Sequence, residues 1–240
     1  DIEAAGGRAL AVQCDIRDEA QVAAAVDAAV ARFGGIGMLV NNASAVWLAG
    51  TLDTPLKRYD LMQGVNTRGT FSVSQACLPH LLKAENPHIL MLSPPLNMEE
   101  RWFAPHVAYT IAKYGMSLCV LGMAGEFRGR VGVNALWPRT AIETAAMRQF
   151  KDGPYEMKHM RSPEIIADAA HIVLASDART VTGNFFVDDA LLARNGVADL
   201  SRYNPPGVAD MELSSDVFVP SLRELEGARR NPVSSSEFTA

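Results

Sequence analysis

Residues 9–44 read ALAVQCDIRDEAQVAAAVDAAVARFGGIGMLVNNAS, and the order of patterns within them decides the fold. Ala9 to Cys14 is an apolar run of strand length. Asp18 then stands where a helix cap belongs, with Gln21 at the capping-box spacing, and Val22, Val26, Ala29, Val30 and Phe33 recur on one helical face. Gly34-Gly35 stops that helix, and Gly37 to Val40 is a short buried strand that runs directly into Asn41-Asn42-Ala43-Ser44. Two strands joined through a helix must run parallel.

The alternation continues outward to about residue 189. Thr54, with Pro55 at the first helical position, opens a long helix that reaches the neighbourhood of Lys83. His88 to Leu92 is the next strand, stopped at Pro94-Pro95; a helix follows from about Val107 to Phe127. Val131 to Leu136 is a strand ended by Pro138, Ser162-Pro163 caps the last strong helix, and Gly183 to Val187 supplies the final strand. The expected class is α/β, with helices layered on a parallel sheet. One domain over residues 1–190 is expected. Residues 191–240, with Asn204-Pro205-Pro206-Gly207 and Asn231-Pro232-Val233-Ser234-Ser235-Ser236, read as an irregular, partly ordered tail.

The 240 residues, 48% hydrophobic with a formal charge of −5, can bury a large core and show no basic patch for nucleic acid or an anionic membrane. Small molecules are the expected partners. Cys14, Cys77 and Cys119 are odd in number and far apart, which fits buried thiols in a reducing compartment and implies no disulfide framework. His80, His88, His106, His159 and His171 show no metal-ligand spacing, so no metal is expected. The longest apolar stretch, around Tyr114 to Ala124, is short for a bilayer, and no signal-peptide pattern opens the chain; a cytoplasmic location is expected. Asp1 falls within what reads as the tail of a helix closed by Gly6-Gly7, so a fragment is expected.

Chemistry concentrates in Tyr109-Thr110-Ile111-Ala112-Lys113, where a spacing of four puts phenol and ammonium on one helix face. A free phenol, with a pKa of roughly 10, is a poor base at neutral pH unless a cation favours its phenolate. A cation at about 5 Å and an effective dielectric near 20 supplies at most on the order of 3 kcal/mol, roughly two pK units. Alone, such a pair is common on helices that catalyse nothing. His106, just before the helix, reads as a polar cap.

Context narrows the reading. Asn41-Asn42-Ala43-Ser44 at a strand end, Asn66 in Val65-Asn66-Thr67-Arg68-Gly69, the strand ending at Ser93, the Tyr-Lys pair, and Asn134-Ala135-Leu136-Trp137-Pro138 follow one another in order. From residue 1 to about residue 189 the chain resembles the short-chain dehydrogenase/reductase family. The resemblance implies a Rossmann-like, doubly wound, three-layer parallel sheet, and an NAD(P)-dependent oxidoreductase that interconverts an alcohol and a carbonyl. By resemblance Tyr109 is the general acid/base, Lys113 holds the nicotinamide ribose and tunes the phenol, Asn66 orders a water in the proton relay, and Ser93 polarises the substrate. Asp15 and Ile16 would contact adenine, Asn41 and Ala43 would line the cofactor groove, Ile142 would meet the nicotinamide, and Thr140 or Thr144 would reach its amide or phosphates. NADP is favoured over NAD on the same ground.

The chain also departs from the family. Most members end this strand with two small polar residues and use the second; here the pair is Ser93-Pro94, so Ser93 serves only if the strand end twists or slips by a residue. The family's glycine after the proline is replaced by Arg139, which either engages an anionic group or faces solvent. No Gly-rich turn after a strand precedes Asp1, and Gly34-Gly35-Ile36-Gly37 runs in the reverse order, from helix to strand. The first βαβ unit is therefore expected to be missing, leaving about 14 Å between the Ala9–Cys14 and Gly37–Val40 strands, and a protein beginning at Asp1 is expected to bind NADP(H) or NAD(H) feebly.

By the family's arrangement Trp47, Leu48, Trp102, Phe103, Met147 and Phe150 surround the reacting carbon, which implies an apolar, lipid-like substrate. Gly64, Gly69, Ser72 and Ala76 give one long helix small residues for close approach, and a homodimer or homotetramer is implied by analogy. The rival reading is a non-catalytic scaffold or regulatory member, or an inactive fragment, that has lost cofactor binding.

Overall fold

The computed structural model of the protein describes residues 1–145, 147 and 157–230. Two compact units are distinguished: residues Asp1–Leu136 with Ile172–Phe185, and Trp137–His171 with the chain from Phe186 onward.

The first unit carries β1 (Met38–Asn41), β2 (His88–Met91) and most of β3 (Gly132–Trp137), with β4 (Phe185–Val187) beginning at its end, in the sheet order β1-β2-β3-β4. The pairings of β1 with β2 and of β2 with β3 are parallel, with Met38 opposite His88 and His88 opposite Gly132. Every residue of β2 and β3 is buried, as expected of parallel strands covered on both faces. Val26 of α1 (Glu19–Phe33), Cys77 and Leu81 of α3 (Thr70–Leu81), and Val120 and Met123 of α4 (Val107–Glu126) pack with Ile89, Met91, Val133 and Ala135. Each of the valine, leucine, isoleucine and methionine side chains among them stabilises the fold by roughly 1.5–3 kcal/mol when fully buried.

α1 begins as its sequence dictates: the Asp18 carboxylate accepts from the backbone N–H of Ala20 and Gln21, and Gly34, at φ 88°, closes the helix in the left-handed conformation. The capping box itself does not close, because the Gln21 side chain accepts from Asp15 N at 2.9 Å. α4 is long and apolar enough to cross a membrane by composition, but 61% of its most apolar window is buried, as in the core helix of a globular protein.

Two expectations need correction here. Ala9–Cys14 forms no strand; Leu10 and Val12 are each 44% exposed. An extended segment becomes a strand only when a neighbour completes its ladder, and β1 pairs with β2 alone among the described residues. The long helix after Thr54 is also not uniform. The Thr54 hydroxyl donates to Gly50 O at 2.8 Å instead of capping, Pro55 precedes α2 (Leu56–Met62), and a π-helical segment (Gln63–Gly69) separates α2 from α3. Such wide turns form where tertiary contacts pull on the helix.

In the second unit, residues 139–143 run between Arg161 and a strap at 214–216. Ala141 N donates to Ser214 O at 2.8 Å, Asp216 N to Arg139 O at 2.9 Å, and Glu143 N to Arg161 O at 2.9 Å. Arg139 does not face solvent: it is buried, its guanidinium pairs with Asp189, and its Nη1 donates to Pro220 O at 2.9 Å. α5 (Glu164–Leu174) spans the boundary between the units, and α6 (Asp188–Arg194) and α7 (Leu222–Arg230) complete the chain's helices among the described residues. Residues 191–230, expected to be irregular, include the end of α6 and all of α7, and bury Tyr203, Leu213, Phe218 and Val219. Phe218, at φ 75°, packs edge-on against Trp137 with ring centroids 5.7 Å apart.

Candidate active site

The site grows from the carboxyl ends of β1 and β2, where open parallel sheets bind ligands. Asn41 ends β1; its side-chain amide donates to Ser74 Oγ on α3 at 3.0 Å, and its carbonyl accepts from Leu92 N at 3.0 Å. Just past β2, Ser93 N folds back to Met91 O at 2.9 Å, a three-residue turn centred on Leu92. This turn breaks the strict alternation of the strand. Ser93 is fully buried and its hydroxyl has no hydrogen-bond partner among the described residues.

The turn frees the Leu92 carbonyl to face α4, where Lys113 Nζ donates to it at 2.9 Å and lies 3.8 Å from Met116 Sδ. Tyr109 and Lys113 are 7% and 4% exposed, one helical turn apart. The Tyr109 ring meets His106 edge-on, with centroids 5.9 Å apart. His106 occupies the N-cap position of α4, yet its side chain caps nothing; its Nδ1 lies 3.0 Å from Thr110 Oγ1. The Thr110 hydroxyl donates to Trp102 O at 2.6 Å, so it accepts from His106, which assigns the imidazole proton to Nδ1. Burial pushes the His106 pKa down, keeping the ring neutral at neutral pH.

Asn66 lies in the π-helical segment, fully buried, and its amide clamps one backbone unit of the loop after β1. Its Nδ2 donates to Ala45 O at 2.9 Å while its Oδ1 accepts from Ala45 N at 2.7 Å. The side chain thus holds the Asn41–Ala45 loop. Thr67 Oγ1 donates to Ala112 O, 3.2 Å away and one residue before Lys113. A Cβ at Gly115 would lie 2.4 Å from Thr67 Oγ1 and 2.6 Å from its Cγ2, so only glycine lets α4 and the π-helical segment approach this closely.

On the far side of the loop, Asp15, Ile16, Ala43, Ser44 and Val65 line one open groove with Gln13, Cys14 and Gln21. The Asp15 carboxylate accepts from Arg17 Nε at 2.9 Å through Oδ1 and from Arg17 Nη2 through Oδ2, and this pairing lowers its pKa to about 2. A separate, apolar groove between α1 and β1 includes Cys77, whose thiol is pushed up to about 11 by burial and is therefore unreactive at neutral pH.

The first unit thus contains Tyr109, Lys113, Asn66, Ser93 and Asn41 around the ends of β1, β2 and α4, with Asp15, Ile16 and Ala43 in one adjoining groove. Ile142 and Thr144 belong to the second unit. Ile142 is buried beside its bridge partner Arg161, and Thr144 Oγ1 accepts from Met147 N at 3.4 Å. Phe150 lies outside the described residues. Sequence reasoning missed the Leu92 carbonyl and the ties of Thr110, Tyr114 and Ser117 to the loop before α4. The recurrence of these three polar groups at i, i+4 and i+7 on an otherwise apolar helix was the available signal.

A family model described as enoyl-(acyl carrier protein) reductase matches residues 1–190, and the chain belongs to the short-chain dehydrogenase/reductase family. It is similar to hydroxysteroid dehydrogenase-like protein 2 of Danio rerio, 56% identical over 203 residues, which is 85% of this chain and 48% of that protein. The protein of the same name from Homo sapiens is 54% identical over the same extents. The chain thus spans about half the length of these curated relatives. Among solved structures, a protein of Xanthomonas campestris described as a dehydrogenase is 53% identical with a TM-score of 0.85, covering 91% of this chain and 79% of that one. A short chain dehydrogenase of Mycobacterium thermoresistibile is 48% identical with a TM-score of 0.83, covering 91% and 77%. Family and neighbours support an oxidoreductase.

Proposed function

We propose that this chain is the catalytic part of an NAD(P)-dependent oxidoreductase that interconverts an alcohol and a carbonyl on an apolar, lipid-like substrate. One observation carries the reading: a buried lysine, one turn past a buried tyrosine, is bonded to the strand-end carbonyl of Leu92, next to the buried, unpartnered hydroxyl of Ser93. A bound nicotinamide would supply or accept the hydride. The open groove that Asp15, Ile16 and Ala43 line together would take the adenosine end.

In the reducing direction the Tyr109 phenol gives its proton to the substrate oxygen, and in the oxidising direction it takes that proton back. The Lys113 charge favours the phenolate. Lys113 would also orient the nicotinamide ribose, the role that the family resemblance gives it. The Ser93 hydroxyl donates to the same substrate oxygen. Asn66 holds the loop that walls the cofactor groove. Trp102 and Phe103, on the loop before α4, and Trp47 and Leu48, on the loop after β1, supply the apolar surface. NADP is favoured by family resemblance. A homo-oligomer is proposed on the same ground, and the exposed Phe71 of α3 and Ile111, Leu118 and Leu121 of α4 provide an apolar face for it.

The experiment is a scan for NADPH and NADH oxidation with mixed carbonyl compounds, run on the full-length protein and its Tyr109→Phe variant. Turnover that disappears with the hydroxyl supports the enzyme. A wild-type protein that binds neither cofactor and turns over nothing supports the scaffold reading instead.

A further inference from the structure

We propose that Tyr114 is a positioning residue: it fixes the loop of residues 94–106, and with it the Trp102-Phe103 wall, at a set height above α4, and so governs which carbonyl compounds are accepted. The proposal rests on the oxidoreductase reading for its substrate and on geometry for the rest.

The loop has no sheet ladder of its own. Its internal backbone bonds are local, from Trp102 N to Glu99 O at 3.1 Å and from Phe103 N to Glu100 O at 2.9 Å. What ties it down is a stripe on α4. Ser117 Oγ donates to Pro94 O at 2.6 Å, Tyr114 OH donates to Asn97 O at 2.6 Å, and Thr110 Oγ1 donates to Trp102 O at 2.6 Å. Thr110, Tyr114 and Ser117 share one helix face, and the same helix carries Tyr109 and Lys113. The loop is thereby indexed to the proton-transfer pair.

Tyr114 differs from its two neighbours in the stripe because it joins the start of the loop, at Asn97, to the aromatic wall, at Phe103. Its hydroxyl also accepts from Asn97 N at 3.2 Å, and its ring receives Phe103 edge-on, with centroids 5.3 Å apart at 83°. Burial raises its pKa, which keeps the proton that the bond to Asn97 O needs. Phe103 therefore rests on a ring whose own tip is anchored to the start of the loop. Removing the hydroxyl leaves the aromatic pair intact while freeing Asn97, and the wall loses its reference point.

The test uses Tyr114→Phe in the full-length protein, with two readouts. Amide exchange followed by mass spectrometry is expected to rise in residues 95–104 and to stay unchanged in β2 and β3. Steady-state reduction of short and long straight-chain 2-alkanones is expected to show KM rising about tenfold for the long chains alone, with kcat within about twofold. Unchanged exchange in the loop overturns the positioning role, and an equal change for short and long chains overturns the specificity role. A wild-type protein that reduces other carbonyl compounds but no 2-alkanone overturns the specificity role alone, whereas one that turns over no carbonyl compound overturns the oxidoreductase reading with it. The exchange measurement still decides whether Tyr114 positions the loop.

Discussion

Lys113 and Leu92 are joined by a hydrogen bond of 2.9 Å, so the ammonium on α4 is fastened to the backbone where β2 ends. This contact makes the position of the charge a property of the sheet as much as of the helix, and several outcomes depend on it.

Replacing Lys113 by methionine removes the charge but keeps most of the volume. Turnover is expected to fall on the order of 10²-fold or more, because the phenol loses the neighbour that favours its ionised form. Stability should move by less than about 2 kcal/mol, since the unpaired Leu92 carbonyl is offset by the absence of a buried charge. Kinetics and urea denaturation on one preparation check both halves.

Asn66→Ala is expected to destabilise the protein by roughly 2–3 kcal/mol, because Ala45 loses the partners of both its N–H and its C=O. Asn66→Asp keeps the acceptor but sets a buried carboxylate oxygen against Ala45 O, and at pH 7 should cost at least as much as the alanine. An Asn66→Ala midpoint equal to that of the wild type would mean that the clamp is not what holds the loop.

Gly115→Ala drives a methyl group into Thr67 and should cost about 1–3 kcal/mol. Adding Thr67→Ala makes room for it. A double-mutant cycle is expected to show the second substitution recovering part of the loss, whereas strict additivity would place the strain elsewhere.

Asp188 provides a pH signature. Burial, and then the neighbouring Asp189, raise its pKa from an ordinary 3.8 to about 6, and its Oδ2 has no hydrogen-bond partner among the described residues. Between these values the unfolded chain releases the proton and the folded chain keeps it. Stability from this group is therefore greatest below about pH 4, falls as pH rises towards 6 and is level above, by on the order of 3 kcal/mol at most. Asp188→Asn should flatten that part of the profile. Denaturation curves at pH 4 and 7 that differ by the same amount in both proteins would contradict the assignment.

The sequence reading was most successful where a signal is local. The Asp18 cap, the Gly34 stop, the buried runs of β2 and β3, and the extent of α4 are each set by neighbouring residues, and the Tyr109-Lys113 pair is visible as a spacing. The π-helical segment was not legible, because its contacts come from residues distant in sequence: Ala45 on Asn66, Ile16 against Gly69, and Gly115 against Thr67. The Leu92 acceptor was hidden for another reason. A backbone carbonyl has no residue identity, and only the turn at Ser93 aims it at α4. Ala9–Cys14 has strand composition and no partner, so composition misled. Residues 191–230 bury a few aromatic anchors such as Tyr203 and Phe218 without any periodic pattern to announce them.

The most direct test of proton transfer by Tyr109 follows deuterium from [4-²H]NADPH or [4-²H]NADH into the alcohol product, comparing the wild-type protein with Tyr109→Phe at saturating cofactor. Label should reach the carbinol carbon in the wild type, and the variant should bind the cofactor equally well but transfer label on the order of 10³-fold more slowly. Transfer by Tyr109→Phe at a rate close to that of the wild type would contradict the account.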